Sequence, residues 1–140
     1  MIEVNLSCNI SYGEVKAKMV FLCKIFNMSF FSKLFREQSN VKNISAASLK
    51  QFINSHTKLK LIDVRSTAEH NRQNIKGSIN IDVFDSNFED LCETKVDINE
   101  PVLLYCRSGQ RSMTAARKLE KMGYKDIYNL KGGMIAWSRL

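Results

Sequence analysis

The sequence is poor in the groups that hold metals. It has two histidines, His56 and His70, and four cysteines, at positions 8, 23, 92 and 106. No Cys-x-x-Cys pair occurs, and neither histidine stands at ligand spacing from a cysteine. Structural zinc is therefore not expected; no metal is assigned, and no cofactor either. Nor do the widely separated thiols make a small disulfide framework, because 140 residues of which 44% are hydrophobic can build a core without cross-links. A reducing, cytoplasmic setting follows as the expectation. Cys92, within "NFEDLCE", reads as a small buried helix residue.

Long apolar runs are missing too. The segment Met19 to Phe35, "MVFLCKIFNMSFFSKLF", is rich in Phe and Leu, but Lys24 interrupts it. It falls short of the roughly 18 uninterrupted apolar residues that a spanning helix needs. Without a small-x-small cleavage site it is a poor secretory signal as well. Residues 1–40 are read as an N-terminal extension, amphipathic with Phe30, Phe31, Leu34 and Phe35 on one side, or poorly ordered. Translation starting at Met28 is a third reading, and attachment to a membrane surface through residues 19–36 is the weaker use of the segment. Basic residues outnumber acidic ones, 21 to 14, for a net charge of +7. Yet Lys58, Lys60, Lys76, Lys95, Lys118, Lys121 and Lys125 form no block and carry no interleaved stacking aromatics, so nucleic acid is not an expected partner.

Residues 41–140 show a regular pattern and are read as one domain. Ser45 closes "VKNIS" as an N-cap for the helix "AASLKQFINS", whose Leu49, Phe52 and Ile53 share a face. "KLKLIDV" reads as a strand, "RSTAEHNRQNIKG" as one or two helical turns, "SINIDV" as a short strand and "SNFEDLCE" as a helix. Pro101 opens "PVLLY", the continuous apolar run of a strand buried on both faces. The helix "SMTAARKLEKMG" follows, with Met113, Ala116, Leu119 and Met122 on one stripe and Gly123 at its end. "IYNL" is a last strand, and "GGMIAWSR" a last helix. This alternation predicts an α/β domain with a mainly parallel sheet of about five strands and helices on both faces. In such sheets ligands bind beyond the carboxyl ends of the strands, where Cys106 falls.

"LLYCRSGQRS" carries the chemistry. Leaving the sheet and turning into a helix, the loop from Cys106 to Arg111 can aim successive backbone N–H groups inward, with the helix N-terminus behind them. The thiolate of Cys106 is an anion, so those amides and the cations Arg107 and Arg111 should lower its pKa below the free value near 8.5. Gly109 can adopt positive φ, and Ser108 and Ser112 supply hydroxyls. The bland alternative is a buried cysteine that happens to end a strand, and R-S-G-Q-R is an unusual sequel for one. Among thiolate chemistries, a protease needs a histidine base with a recognisable setting, and a thioredoxin-type centre needs a second cysteine where Gly109 stands. A phosphatase loop needs an arginine at the position of Ser112, whereas the arginine here comes one place early, at Arg111. A six-residue cradle suits an exposed thiolate carrying a terminal sulfur, as a persulfide.

These residues resemble the rhodanese domain of the single-domain sulfurtransferases, over about Val41 to Trp137. "LIDVRSTAEH", "IKGSINI", "VLLYCRSGQRS" and "GYKDIYNLKGGMIAW" are similar to four motifs of that family, in the same order. The resemblance implies that Cys106 takes a sulfane sulfur from a small anionic donor such as thiosulfate, becomes a persulfide, and passes the sulfur to cyanide or a thiol. It implies that the loop amides from Arg107, through Ser108, Gly109, Gln110 and Arg111, to Ser112 stabilise both states, while Arg107 and Arg111 attract the donor. Asp63 is read as an acceptor of backbone N–H bonds and not as a base, with Arg65 and Glu69 paired to each other; Gly132 and Gly133 let the last turn pack close to the loop. Trp137 is read as core. Gln73, Asn74 and Lys76 depart from the family's Gly-His and Pro, and His70 replaces an aromatic, read as a partly exposed substitute. Two alternatives stand beside this reading: a module that relays persulfide sulfur to a protein acceptor, and a phosphatase or arsenate reductase of related fold.

Overall fold

A computed structural model describes residues 39–140 of the chain. The expectations for the N-terminal segment, including the apolar side of Phe30 to Phe35, the start at Met28 and any membrane contact, lie outside these residues. Five strands alternate with five helices: β1 (Lys42–Ser45), α1 (Ala46–Ser55), β2 (Lys60–Asp63), α2 (Thr67–Arg72), β3 (Ile79–Asn80), α3 (Phe88–Lys95), β4 (Val102–Tyr105), α4 (Gln110–Lys121), β5 (Ile127–Lys131) and α5 (Gly133–Trp137). They form one sheet in the order β1-β5-β4-β2-β3, with every pair parallel. This is the α/β arrangement, a parallel sheet of five strands, that the strand and helix pattern predicts.

β4 is central because it can be buried on both sides. Its residues alternate between two cores: Val102 and Leu104 pack with Ile62, Val64, Ala115, Ala116 and Leu119 under α3 and α4, while Leu103 and Tyr105 pack with Leu49, Leu61, Leu130 and Met134 under α1 and α5. Each such fully buried Leu contributes roughly 1.5–3 kcal/mol relative to exposure. Cys106 continues the alternation and falls on the α3 and α4 side.

Local chemistry sets the helix starts. Ser45 accepts from Ser48 N, and Ser66 and Glu69 form a reciprocal capping box that starts α2. Two boundaries differ from expectation. β3 spans only Ile79 and Asn80, and beyond it Ile81 N and Val83 N donate to the carbonyls of Asp63 and Val64 at the end of β2. α4 begins at Gln110, directly after Gly109, and its buried face is Ser112, Ala115, Ala116 and Leu119; Met113 and Met122 are half-buried at its margin. Among the described residues no helix is long and apolar enough to cross a membrane.

Candidate active site

β4 delivers Cys106 to the carboxyl end of the sheet, beside the end of β2. Gly109 then turns the chain at φ +94° and starts α4. A Cβ at this position would meet Leu130 O at 3.1 Å and Gly132 N at 3.3 Å, so both the φ and the space call for glycine. The turn carries Gly109 N–H onto Cys106 Sγ, 3.1 Å away, and brings Ser112 Oγ to 3.4 Å from the same sulfur. Burial alone would raise the thiol's pKa. Hydrogen bonds from the Ser112 hydroxyl and from the backbone N–H groups of Ser112, Ser108 and Gly109 more than offset it, and the pKa is lowered. The donors on the sulfur thus come from three of the six loop residues. Arg107 and Gln110 lie exposed on the rim.

The expectation of an exposed thiol is corrected: Cys106 is 0% exposed. Its side chain joins the apolar cluster of Val64, Ile81, Ala115 and Ala116 on the α3 and α4 side, while Gly132 and Gly133 fasten the loop backbone. Gly133 seats its backbone directly on the carbonyl of Cys106, and a Cβ there would also lie 2.7 Å from Arg107 C and O. From this close approach Met134 N donates to Cys106 O (2.9 Å) and Ile135 N to Arg107 O (3.1 Å), so the start of α5 clamps the loop from behind. Gly132, at φ +79°, makes the turn that permits it.

The pairing expected between Arg65 and Glu69 is also corrected. Arg65 grips Asp63, with Nη2 2.6 Å from Oδ2 and Nε 2.9 Å from Oδ1, and donates to Gln73 O. Asp63 further accepts Arg65 N and faces His70 Nδ1 at 3.0 Å. Burial pushes the Asp63 carboxyl upward, but these partners win and it ends below the ordinary carboxylate value. Glu69 points the other way, to a two-pronged pair with Arg111 at 2.9 Å on each arm. That guanidinium holds Glu69 down at about 2. The reason lies in the capping box: it fixes Glu69 on the first turn of α2, where its carboxylate faces α4 rather than Arg65. Trp137 is half-buried and packs against the α1 and α5 core.

Two polar groups escaped the sequence reading. Tyr105, wholly buried, accepts Ile75 N–H and meets Ser78 Oγ through its hydroxyl, tying the turn after α2 to β4. Asn129, 3% exposed in β5, accepts the Ser112 hydroxyl at 2.7 Å and donates to Asn43 Oδ1. An amide amid the apolar residues of "IYNL" was the available signal. Among the described residues, no group of three or more His, Cys, Asp or Glu side chains could hold a metal ion.

Comparison with known proteins gives this geometry its family. The rhodanese-like domain pattern matches residues 45–140. YtwF of Bacillus subtilis (strain 168) is 37% identical over 97 residues, which are 69% of this chain and 90% of YtwF. The thiosulfate sulfurtransferase GlpE of Shewanella oneidensis is 30% identical over 101 residues, 71% of this chain and 94% of GlpE. YrkF of Bacillus subtilis is longer: the match covers 52% of it, so the chain spans about half its length. Among solved structures, the rhodanese-like domain protein from Staphylococcus aureus aligns with a TM-score of 0.61 at 28% identity, covering 69% of this chain and 90% of that one. The chain belongs to the rhodanese-like sulfurtransferase family.

Proposed function

We propose that the protein moves a sulfane sulfur from thiosulfate or a persulfide donor to cyanide or a thiol acceptor by way of a Cys106 persulfide. The observation that carries this reading is the set of hydrogen-bond donors on Cys106 Sγ, which favour the thiolate form of an unexposed sulfur. In the first step the thiolate attacks the outer sulfur of thiosulfate; the new Sγ–S bond forms as the sulfur–sulfur bond of thiosulfate breaks, and sulfite leaves with its electron pair. In the second, cyanide attacks the terminal sulfur, thiocyanate forms, and the electron pair of the broken bond returns to Sγ. No proton moves in either step, so no general base is required; Asp63, held by Arg65 and His70, keeps the neighbouring turn in shape.

The anion meets Arg107 on the rim first, while the charge of Arg111 is offset by Glu69. Ser108, Gly109 and Ser112 hold the sulfur, and Gln110 starts the helix behind them. The test is thiocyanate production from thiosulfate and cyanide: wild type turns over, and Cys106→Ser does not. Full activity in Cys106→Ser, or turnover of a phosphate ester with none of thiosulfate, would overturn the reading.

The neutralised Arg111 also favours a second reading, a relay that loads from a thiol-borne persulfide and unloads onto a protein acceptor in a reducing cytoplasm. Slow thiosulfate turnover beside fast sulfur exchange with a small-molecule persulfide would select it.

A further inference from the structure

Ser112 stands between two acceptors and has one proton to give. Its Oγ lies 3.4 Å from Cys106 Sγ and 2.7 Å from Asn129 Oδ1, and both Ser112 and Asn129 are buried. A hydroxyl carries a single hydrogen, so a full hydrogen bond to one acceptor is lost to the other. The amide of Asn129 is oriented from behind: its Nδ2 donates to Asn43 Oδ1 at 2.9 Å, across the in-register β1 and β5 pair, which leaves Oδ1 facing Ser112. A carbonyl oxygen buried there loses its donor whenever the hydroxyl turns away, and such a loss is unfavourable.

We propose that the Ser112 hydroxyl toggles between Cys106 and Asn129 during the reaction, with Asn129 as the positioning residue that draws it back. In the free thiolate the negative charge sits on Sγ, and the hydroxyl turns to it. In the persulfide the charge has moved to the terminal sulfur and Sγ is a neutral divalent atom, so the hydroxyl returns to Asn129. A protonated thiol has the same effect, since its S–H can donate to the freed oxygen of Ser112. Asn129 therefore favours the loaded and the protonated states of Cys106 over the bare thiolate. The loaded half of this cycle rests on the persulfide reading above; the thiolate half does not.

The charged groups around the site are the same in either state. Arg111 on α4 is the cation facing Cys106, and it is paired with Glu69 from α2 and felt by Asp82 after β3. From the end of β2 come Asp63 and Arg65, paired with each other, with His70 of α2 against Asp63. β5 and α5 bring the uncharged Asn129 and Met134. Replacing Asn129 leaves all of these in place, so a change in Cys106 ionisation reports on the hydroxyl.

The test is titration of the thiolate ultraviolet absorbance in the full chain, each variant read against its own Cys106→Ser counterpart so that the other thiols and the tyrosines cancel. Asn129→Ala should lower the Cys106 midpoint by about half to one pH unit, the size of one exchanged hydrogen bond. Ser112→Ala should raise it. The Asn129→Ala shift should vanish when Ser112→Ala is already present, which a merely structural role for Asn129 would not produce. Asn129→Leu, of similar size, reads the same shift if the alanine variant folds poorly. A raised midpoint in Asn129→Ala would mean that the amide nitrogen faces Ser112, and a shift that persists without the serine would mean that it acts by another route; either overturns the toggle. An unmoved midpoint beside intact sulfur transfer sinks the toggle alone. Absent sulfur loading beside the full titration pattern sinks the sulfur-transfer reading and leaves the thiolate half standing.

Discussion

Cys92 and Cys106 are both 0% exposed, and both belong to the apolar cluster under α3 and α4. Their ionisation goes opposite ways. Burial pushes the Cys92 thiol up to about 12, and Glu89 one turn before it adds to the rise. Cys106 suffers the same desolvation yet ends below the ordinary thiol value, because three backbone N–H groups and a hydroxyl converge on it. Cys92 sits mid-helix in α3, where backbone N–H groups are spent on i−4 carbonyls, whereas Cys106 precedes a helix start whose N–H groups have no such partners. The comparison teaches that unsatisfied donors, and not exposure, set the Cys106 sulfur apart from that of Cys92.

The largest effect that could break the comparison is on transfer itself. Cys106→Ser should abolish thiocyanate formation, while Cys92→Ala should leave kcat unchanged and lower stability by about 1 kcal/mol in urea unfolding. Next comes the clamp: Gly133→Ala puts a methyl group against the Cys106 carbonyl and should cost about 3 kcal/mol of stability, read as a lower Tm, along with most of the activity. No comparable lesion is expected at Gly77, where a Cβ would meet nothing within 4 Å, although its φ of +85° still strains an alanine.

A smaller change sharpens the electrostatic side. Arg111→Ala should raise the KM for thiosulfate several-fold, since it removes a cation and leaves Glu69 uncompensated near the anion's path; Arg111→Ala with Glu69→Gln should recover part of that loss. The Glu69 carboxyl is depressed to about 2, so the stability from this pair is fully present above the unfolded carboxylate value near 4.5 and is lost as pH falls toward 2. Thermal melts from neutral to mildly acid pH should therefore show no loss from this pair until pH drops below about 4.5. The smallest expected effect on transfer is at Tyr105→Phe, which leaves Ile75 N–H without its acceptor and should lower stability by about 1–3 kcal/mol without changing KM.

Much of this was legible in the residues. "PVLLY" announced a strand buried on both faces, Ser45 marked a helix start, and Cys106 with Gly109 placed the loop where the structure has it. Pair identities were less accessible. Arg65 and Glu69 are four residues apart, the spacing of neighbours on one helix, but Arg65 lies before α2 begins and turns back to Asp63, so the rule of helical spacing does not apply to it. Arg111 reaches Glu69 across 42 positions of chain, a contact that only the sheet order creates. Asn129 was missed for the same reason: its partners Ser112 and Asn43 come from two other elements. The depth of Cys106 followed from its place in the cluster that α3 and α4 close over β4, an association of elements distant in the chain.

The central claim is that Cys106 carries sulfur, and intact mass spectrometry after exposure to thiosulfate tests it most directly. The account predicts a gain of one sulfur atom that cyanide removes, absent from Cys106→Ser and retained in Cys92→Ala. A gain that survives in Cys106→Ser, or no gain in the wild-type chain, would contradict it.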